Sequence, residues 1–177
     1  INDNGIISIM YHRFEENKYP STNIRIKDFK LHLNLIKNSK IKFISHKEFE
    51  NNIEKNNFNK KILITIDDGF TSFYNNAWPI LKKDRIPFIL FVNTKNVGSN
   101  GYMTWAQIKE ISEYDFAHIG NHSHSHEYLV DKSDNEIKKD IQLSINIFQE
   151  KLNFKTKFFA YPFGEYKNSY KKIVKDL

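Results

Sequence analysis

Several residue types are scarce or missing in this sequence, and each absence removes a class of protein. The 177 residues include no cysteine, which excludes disulfides, thiolate zinc sites, iron–sulfur clusters and cysteine nucleophiles. Any metal must therefore be bound by histidine and carboxylate. No window of about 20 residues is free of charge, so no transmembrane helix is expected. No stretch rich in proline, serine or glycine divides the chain, which predicts one domain over residues 1–177.

Arginine is also rare, and lysines spread along the chain supply most of the positive charge. Lysine and arginine number 27 against 21 acidic residues, which gives a net charge of +6. Phosphate sites favour clustered arginine, whereas scattered lysine is typical of a solvated surface. The composition therefore predicts no nucleic-acid partner, and it does not indicate whether the chain self-associates.

Short apolar runs typical of buried strands alternate with helical patterns along the whole chain. We predict strands over 5–11, 42–44, 61–66, 88–92, 116–119 and 157–161, and helices over 27–38, 71–83, 104–113 and 134–152. This order predicts an α/β fold with parallel strands and right-handed crossovers. A closed barrel of this kind needs about 250 residues. The chain is therefore expected to form a barrel without its last one or two strands, or a smaller open sheet.

Two adjacent carboxylates, Asp67 and Asp68, end the predicted strand 61–66 and precede Gly69. Charge at the end of a buried strand is unfavourable unless something compensates it. Because successive strand residues point to opposite sides, one carboxylate can bind a cation while the other stays free as a base. A helix N-cap or an Asx-turn is the alternative interpretation.

Three of the seven histidines, His122, His124 and His126, lie within five positions after the predicted strand 116–119. The spacing of four lets His122 and His126 face the same way on a single helical turn. Two imidazoles and one carboxylate would bind zinc or a similar metal and leave a coordination position open. The alternatives are a ligand pair of His122 and His124, or a polar loop without ligands.

A third segment follows the predicted strand 157–161, where Pro162 and Gly164 predict a turn. The backbone amide of Phe163 would then donate to a developing oxyanion, with an ordinary turn as the alternative. All three segments follow the C-terminal ends of strands, the edge at which parallel α/β folds collect their functional loops. This shared position predicts one active site.

The three segments resemble motifs of the polysaccharide deacetylases of carbohydrate esterase family 4, which have a NodB-type domain with a distorted (β/α)7 barrel. Residues 65–69, Thr-Ile-Asp-Asp-Gly, are similar to the first motif. Residues 122–126, His-Ser-His-Ser-His, fit the second, and residues 160–164, Ala-Tyr-Pro-Phe-Gly, are similar to the third. Residues 10–13, Met-Tyr-His-Arg, and the region around Trp105 most resemble the branch that acts on exported poly-β-1,6-N-acetylglucosamine.

The resemblance implies a metal-dependent enzyme that removes N-acetyl groups from a polymer containing N-acetylglucosamine, such as poly-N-acetylglucosamine, peptidoglycan or a chitin-like chain. It implies that Asp67 is the catalytic base and that the Phe163 amide stabilises the oxyanion. The implied ligands of a divalent metal are Asp68, His122 and His126, with zinc expected first and cobalt or nickel as alternatives. Because these polymers lie outside the cytoplasm, the resemblance implies a secreted or cell-envelope protein, although no signal peptide is visible.

Aromatic side chains on the rim loops are the expected substrate contacts. Tyr161 and Trp105 are predicted to contact the polymer, because aromatic faces can stack on sugar rings, and Pro162, next to Tyr161, is predicted to contact it as well. Packing within the protein is the alternative.

The sequence departs from the family pattern in two places. Ala160 stands where many members have an arginine, as it does in the poly-N-acetylglucosamine branch. The later motifs, which include the histidine that serves as general acid, have no match before Leu177. His12 is the available replacement, with a structural role as its alternative. The competing hypothesis is a catalytically impaired carbohydrate-binding or scaffold domain that retains the metal pocket.

The other histidines receive structural interpretations. His32 and His46 lie on predicted helix faces and are expected to be exposed. His118, inside a predicted strand, is expected to be a hydrogen-bonded core imidazole. Phe73 and Trp78 fit the buried stripe of their helix.

Overall fold

The computed structural model describes residues 5–55 and 60–177 of the chain. Its strands are β1 (Ile6–Tyr11), β2 (Arg13–Phe14), β3 (Asn23–Ile24), β4 (Lys42–Phe43), β5 (Lys61–Ile66), β6 (Phe88–Val92) and β7 (Ala117–Asn121). Its α-helices are α1 (Ile26–Lys37), α2 (His46–Glu54), α3 (Trp78–Asp84), α4 (Trp105–Ser112), α5 (Asp134–Leu152) and α6 (Asn168–Asp176). No helix in these two ranges is long and apolar enough to cross a bilayer.

The central strand of the fold is β5. The main sheet has the order β1-β5-β6-β7, with β4 paired to the start of β5, and every pairing in it is parallel. Ile62, Ile64 and Ile66 pack into the main core, while Leu63 packs on the opposite face with Ile89. Because both faces of β5 are covered, its sequence is a continuous apolar run. The predicted α/β class with parallel strands is confirmed.

The strand predicted over 157–161 is reduced to a single bridge. Asn121, at the end of β7, donates its N–H to the Phe158 carbonyl at 2.8 Å and accepts the Ala160 N–H at 3.0 Å. Pro162 follows and has no N–H with which to extend the ladder. Within the described ranges, no strand pairs with the outer edge of β1, so the sheet is open there.

The helix predicted over 71–83 is divided into two parts. A π-helical turn, Phe73–Ala77, precedes α3. Pro79, in the first turn of α3, has no N–H to donate to the carbonyl one turn earlier. The Asn76 side-chain amide donates instead to the Ser72 carbonyl at 3.1 Å. The widened turn therefore arises from polar contacts that a hydrophobic pattern does not reveal.

The β2–β3 pair and the helices α2 and α6 lie outside the predicted ranges. Each strand of the β2–β3 pair has only two residues, too few to show an alternating pattern. In helix α6, Tyr170, Ile173 and Val174 recur at helical spacing and pack in one cluster with Ile137, a pattern that the predictions did not use. Phe73 and Trp78 are buried, as predicted.

Two histidines stack inside the fold. His46, at the start of α2, and His118, from β7, have ring centroids 4.2 Å apart. The prediction that His46 is exposed is wrong: a capping box of Ser45 and Glu48 begins α2 at this point, and the imidazole is buried. Nδ1 of His46 and Nε2 of His118 have no hydrogen-bond partner within the described ranges, so His118 is not the fully bonded core imidazole expected. His32 is exposed, as predicted.

We expect this histidine stack to make the protein sensitive to acid. Burial, and then the neighbouring His46, lowers the pKa of His118 to about 4, and burial also lowers the pKa of His46. A histidine whose pKa is lowered by folding stabilises the protein above its unfolded-state pKa of about 6.5. That stability is lost as the pH falls from this value towards the folded-state pKa.

The measurement is the free energy of urea unfolding at about pH 7.5 and about pH 5 for the wild type and His118→Gln. The loss of stability on acidification should be smaller in His118→Gln by on the order of 1 kcal/mol. Leu31→Gln, at an exposed position of α1, is the control and should show the pH dependence of the wild type. An identical pH dependence in the wild type and His118→Gln would contradict the prediction.

Candidate metal centre and active site

Three predicted metal ligands converge at the C-terminal end of β5. Oδ1 of Asp68 lies 3.1 Å from Nε2 of His126 and 3.6 Å from Nε2 of His122. Across the described part of the chain, this is the one group of three or more histidine, cysteine or acidic side chains whose ligand atoms all lie within 4.8 Å of one another. Residues 54 positions apart in sequence therefore meet around a space in which their donor atoms can share one cation.

His122 is held in the tautomer that a metal requires. Its Nδ1 lies 2.9 Å from the carbonyl oxygen of Ala160, which can only accept, so Nδ1 carries the proton and Nε2 keeps its lone pair. Burial lowers the pKa of His122 to about 4, which keeps the ring neutral. The carbonyl of the third motif thus orients a ligand of the second, the usual arrangement behind metal-binding histidines.

Residues 122–126 form a loop and not the helical turn predicted from the spacing of His122 and His126, because the backbone of this segment is not helical. Ser123 and His126 both have left-handed conformations, with φ of 66° and 55°. The His126 N–H donates to the Ser123 hydroxyl at 3.0 Å, which closes the loop. From α5, Asp140 accepts the N–H of His124 at 2.8 Å and the N–H of Ser125 at 3.1 Å. These contacts turn the His126 ring towards Asp68.

His124 has a different partner from the other two histidines. Its Nδ1 lies 2.9 Å from the Thr94 hydroxyl, and it is not part of the three-ligand cluster. The geometry favours a ligand pair of His122 and His126 over a pair of His122 and His124.

Asp68 is fixed and kept ionised by its neighbours. Its φ is 74°, and the buried Asn93 amide donates to both its carbonyl and its Oδ1 at 3.3 Å. Burial alone would raise the pKa of Asp68, but the hydrogen bond from His126 and the nearby imidazoles outweigh it and lower the pKa. Burial opposes protonation of His126, yet the hydrogen bond to Asp68 raises its pKa. Asp68 and His126 therefore share a proton that a bound cation would displace.

Asp67 is buried beside this cluster and differs from Asp68. Its Oδ1 has no hydrogen-bond partner in the described part of the chain. Burial, and then the negative charge of Asp68, raises the pKa of Asp67 to about 7. The next helical segment begins at Thr71, three residues after Asp68, so neither carboxylate stands at its N-cap and the N-cap interpretation of the doublet does not hold.

His12 lies at the same rim, immediately after β1. Strands β1 and β5 pair Met10 with Thr65 and Tyr11 with Ile66, which places His12 level with Asp67. Equivalent residues of adjacent parallel strands point to the same face, so the two side chains share a face of the sheet. Burial lowers the pKa of His12, and the charge of Asp68 partly offsets this, which places the imidazole within electrostatic reach of the cluster.

The third motif forms the neighbouring wall of the site. Phe163 is 61% exposed, has a φ of 60°, and places its ring 4.9 Å from that of His126. Its strained backbone beside a metal ligand is typical of a functional loop. The role of its amide as an oxyanion donor remains a prediction.

The residues predicted to contact the substrate also pack against other side chains of the protein. Pro162 is buried, Tyr161 packs edge-on against Tyr170 at 5.0 Å, and Trp105 packs edge-on against Phe148 at 5.9 Å. Contact of Tyr161, Pro162 or Trp105 with a polymer remains a prediction.

The sequence analysis missed the residues that support the ligands. Asn93 and Asp140 are single polar residues outside any recognised motif. A signal for Asn93 existed, because it directly follows β6, at the same rim as the motifs. Asp140 lies in the middle of α5 and shows no comparable signal.

The donor set fits a divalent transition metal. One carboxylate and two imidazoles, one of them locked as a neutral Nε2 donor, match the ligand preferences of zinc and its neighbours and leave a position open. Metal-dependent hydrolases use such a group of donors beside a carboxylate that is free to act as a base. The sequence profile of the polysaccharide deacetylase family matches residues 54–177, and the chain belongs to this family.

Individual relatives agree with the family assignment. A putative polysaccharide deacetylase of Bacillus subtilis, YxkH, is 26% identical over 160 residues, which cover 89% of this chain and 56% of that protein. A poly-β-1,6-N-acetyl-D-glucosamine N-deacetylase of Staphylococcus epidermidis is 29% identical over 175 residues, covering 91% of this chain and 60% of that protein. The chain thus spans less than two thirds of the length of either relative.

A solved structure shows the same fold. IcaB from Ammonifex degensii superimposes with a TM-score of 0.91 and 26% identity, covering 98% of this chain and 80% of that one. The resemblance to the poly-N-acetylglucosamine branch, drawn from the sequence motifs, is confirmed by these similarities.

We expect each ligand to be required for tight metal binding. Asp68→Ala, His122→Ala and His126→Ala should each weaken zinc binding by more than about 100-fold, because three donors cannot be reduced to two without losing the site. Isothermal titration with zinc measures the affinity. His124→Ala is the matched control and should bind zinc like the wild type. Loss of zinc in His124→Ala together with retention in His126→Ala would contradict the ligand set.

Proposed function

We propose that this chain catalyses the metal-dependent removal of N-acetyl groups from a polymer of N-acetylglucosamine, with zinc as the metal. The observation that carries the proposal is the three-ligand cluster of Asp68, His122 and His126 beside the buried, unpaired Asp67. A protein that only bound carbohydrate would gain nothing from an uncompensated carboxylate in its core, since burying such a group is unfavourable. An enzyme needs that group as a base.

The two acidic residues divide the work. Asp68, His122 and His126 would hold the cation, which when bound would polarise the acetyl carbonyl and lower the pKa of a water molecule. Asp67 takes the proton from the attacking water, because its Oδ1 has no other partner and faces the same rim. The Phe163 N–H donates to the oxyanion that develops on the acetyl carbonyl.

The leaving amine must receive a proton as the carbon–nitrogen bond breaks and acetate is released. His12 is the group placed to donate it, because its side chain is level with Asp67 on the same face of the sheet. This assignment takes the general acid from the residues that the structure describes.

The substrate class is inferred from the relatives. The Staphylococcus epidermidis relative is named for poly-β-1,6-N-acetyl-D-glucosamine, and the match to it extends over 91% of this chain. We infer the same polymer class here and, since such polymers lie outside the cytoplasm, a location in the cell envelope or outside the cell. A phosphate-ester substrate is disfavoured because residues 65–69, 122–126 and 160–164 contain no lysine or arginine.

Asp67→Asn tests the division of roles. Asparagine keeps the shape of the side chain but cannot take a proton, so kcat for acetate release should fall by about 100-fold or more. Zinc content, measured by elemental analysis, should stay at the wild-type level. Acetate is measured with N-acetylglucosamine oligomers of β-1,6 and β-1,4 linkage. Loss of zinc from Asp67→Asn would show that the two aspartates have been assigned the wrong roles.

His12→Gln tests the proton donor. Glutamine keeps a hydrogen-bond donor at this position but does not release a proton, so kcat should fall by about 100-fold. Zinc affinity should not change, because His12 is not a ligand. The decrease of kcat at low pH, which we attribute to protonation of Asp67, should also be retained. If His12→Gln has the kcat of the wild type, His12 is not the proton donor and has only a structural role.

A further inference from the structure

A groove lies beside the metal centre, in a part of the rim that the proposed mechanism does not use. It has a volume of about 260 Å³. Its lining includes the rings of Tyr19, Phe70 and Tyr102 and the polar groups of Arg13, Glu16 and Asn100. We refer to it as the Arg13 groove. Two larger hollows, of about 410 and 390 Å³, lie on α5 and between α1 and α3, and neither is lined by an aromatic ring.

The Arg13 groove is joined to the metal centre through the backbone. Phe70 follows the metal ligand Asp68 by two residues and forms an antiparallel bridge with Tyr102. The N–H of Met103 donates to the Gly69 carbonyl at 2.9 Å, which fastens the Tyr102 loop to the aspartate turn. One hydrogen-bonded unit therefore carries both the metal ligand and a wall of the groove.

Side chains also connect the two sites. Burial raises the pKa of Tyr102, and the negative charge of Asp68 is the next contribution, so the hydroxyl is within electrostatic reach of the metal ligand. On the opposite wall, Arg13 directly follows His12, the proposed proton donor. A substrate that extends from the metal centre across Tyr102 therefore enters the groove.

The interior of the groove is ordered before any ligand binds. The Arg13 guanidinium lies between two rings, 3.5 Å from the Phe70 centroid and 4.0 Å from the Tyr19 centroid. Its Nη1 donates to Glu16 at 2.8 Å. Because Glu16 neutralises Arg13, the groove offers several hydrogen-bonding groups without a free charge, which suits a neutral ligand better than a phosphate or carboxylate.

We infer that the Arg13 groove binds the N-acetylhexosamine unit next to the unit that is deacetylated; this inference rests on the proposed function. Tyr19 is 39% exposed; the Arg13 guanidinium lies 4.0 Å and the Lys18 ammonium 5.3 Å from its ring centroid, and the exposed part of the side chain can contact a sugar ring. Arg13, Glu16 and Asn100 supply donors and acceptors for hydroxyl and acetamido groups. The volume is below the roughly 300–1,000 Å³ of pockets that enclose a whole ligand, as suits one unit of a polymer that continues outside.

Tyr19→Ala tests the inference by comparing a substrate that has neighbouring sugar units with one that has none. The reference substrate is para-nitrophenyl acetate, an acetyl ester without a neighbouring sugar, and the test substrate is a β-1,6-linked N-acetylglucosamine pentasaccharide. The ratio of kcat/KM for the pentasaccharide to kcat/KM for the ester should fall about tenfold in Tyr19→Ala, the usual scale of one lost aromatic contact. Tyr19→Phe should restore the ratio, because the aromatic face remains. Leu35→Ala, at a 61% exposed position on α1, should leave it unchanged.

Binding without turnover provides the second measurement. In the Asp67→Asn background, titration calorimetry with the pentasaccharide should show a dissociation constant about tenfold higher when Tyr19 is also replaced by alanine. The side-chain NMR resonance of Arg13 should shift with the pentasaccharide and not with inorganic phosphate. A shift with phosphate alone would overturn the assignment to a neutral sugar.

The outcomes separate this inference from the proposed function. If the wild type deacetylates the pentasaccharide but Tyr19→Ala leaves the ratio unchanged, the inference about the groove is wrong and the proposed function stands. If the wild type neither binds nor deacetylates any oligomer, the proposed function is wrong, and the inference falls with it.

Discussion

Two negative carboxylates, adjacent in the chain and withdrawn from water, are the constraint to which the rest of the site responds. Asp67 and Asp68 end a strand that is covered on both faces, where uncompensated charge is strongly unfavourable. The imidazoles of His122 and His126 compensate Asp68. Asp67 has no such partner, and its raised pKa reflects that difference. In the proposed function, this difference is the reason that Asp68 is assigned to the cation and Asp67 to the proton.

The parallel sheet makes this compensation possible across long stretches of sequence. Because β5, β6 and β7 are parallel neighbours, their C-terminal ends deliver Asp68, Asn93 and His122 to one edge. The bridge between Asn121 and the segment after α5 brings the Ala160 carbonyl to His122. Each ligand is thus oriented by a group from a different crossover, so the geometry of the centre depends on the whole sheet and not on a single loop.

The sequence predicted the site where chemically active residues directly follow a strand. It did not predict features that depend on contacts between distant parts of the chain. The doublet Asp67–Asp68 and the spacing of His122 and His126 predicted that these side chains would meet, because charged residues after apolar runs need a partner, and the structure brings Asp68, His122 and His126 together. The tautomer of His122 depends on a carbonyl 38 residues away, and no local pattern reveals that contact. The burial of His46 was missed for a similar reason, since the pattern of α2 alone does not show that β7 supplies a second imidazole to stack on it.

Four of the seven non-glycine residues with positive φ in the described chain are Asp68, Ser123, His126 and Phe163, all at this one rim. Left-handed backbone at residues with a Cβ costs about 1–3 kcal/mol each, so the fold concentrates its strain where the ligands are held. Replacing these residues with asparagine or glycine would relieve the strain and raise thermal stability. In the proposed function, the same replacements would lower the activity, because they change the residues that hold the site. Substitutions intended to raise the thermal stability of the domain should therefore be placed on the outer helix surfaces, and the strained residues of the rim should be left unchanged.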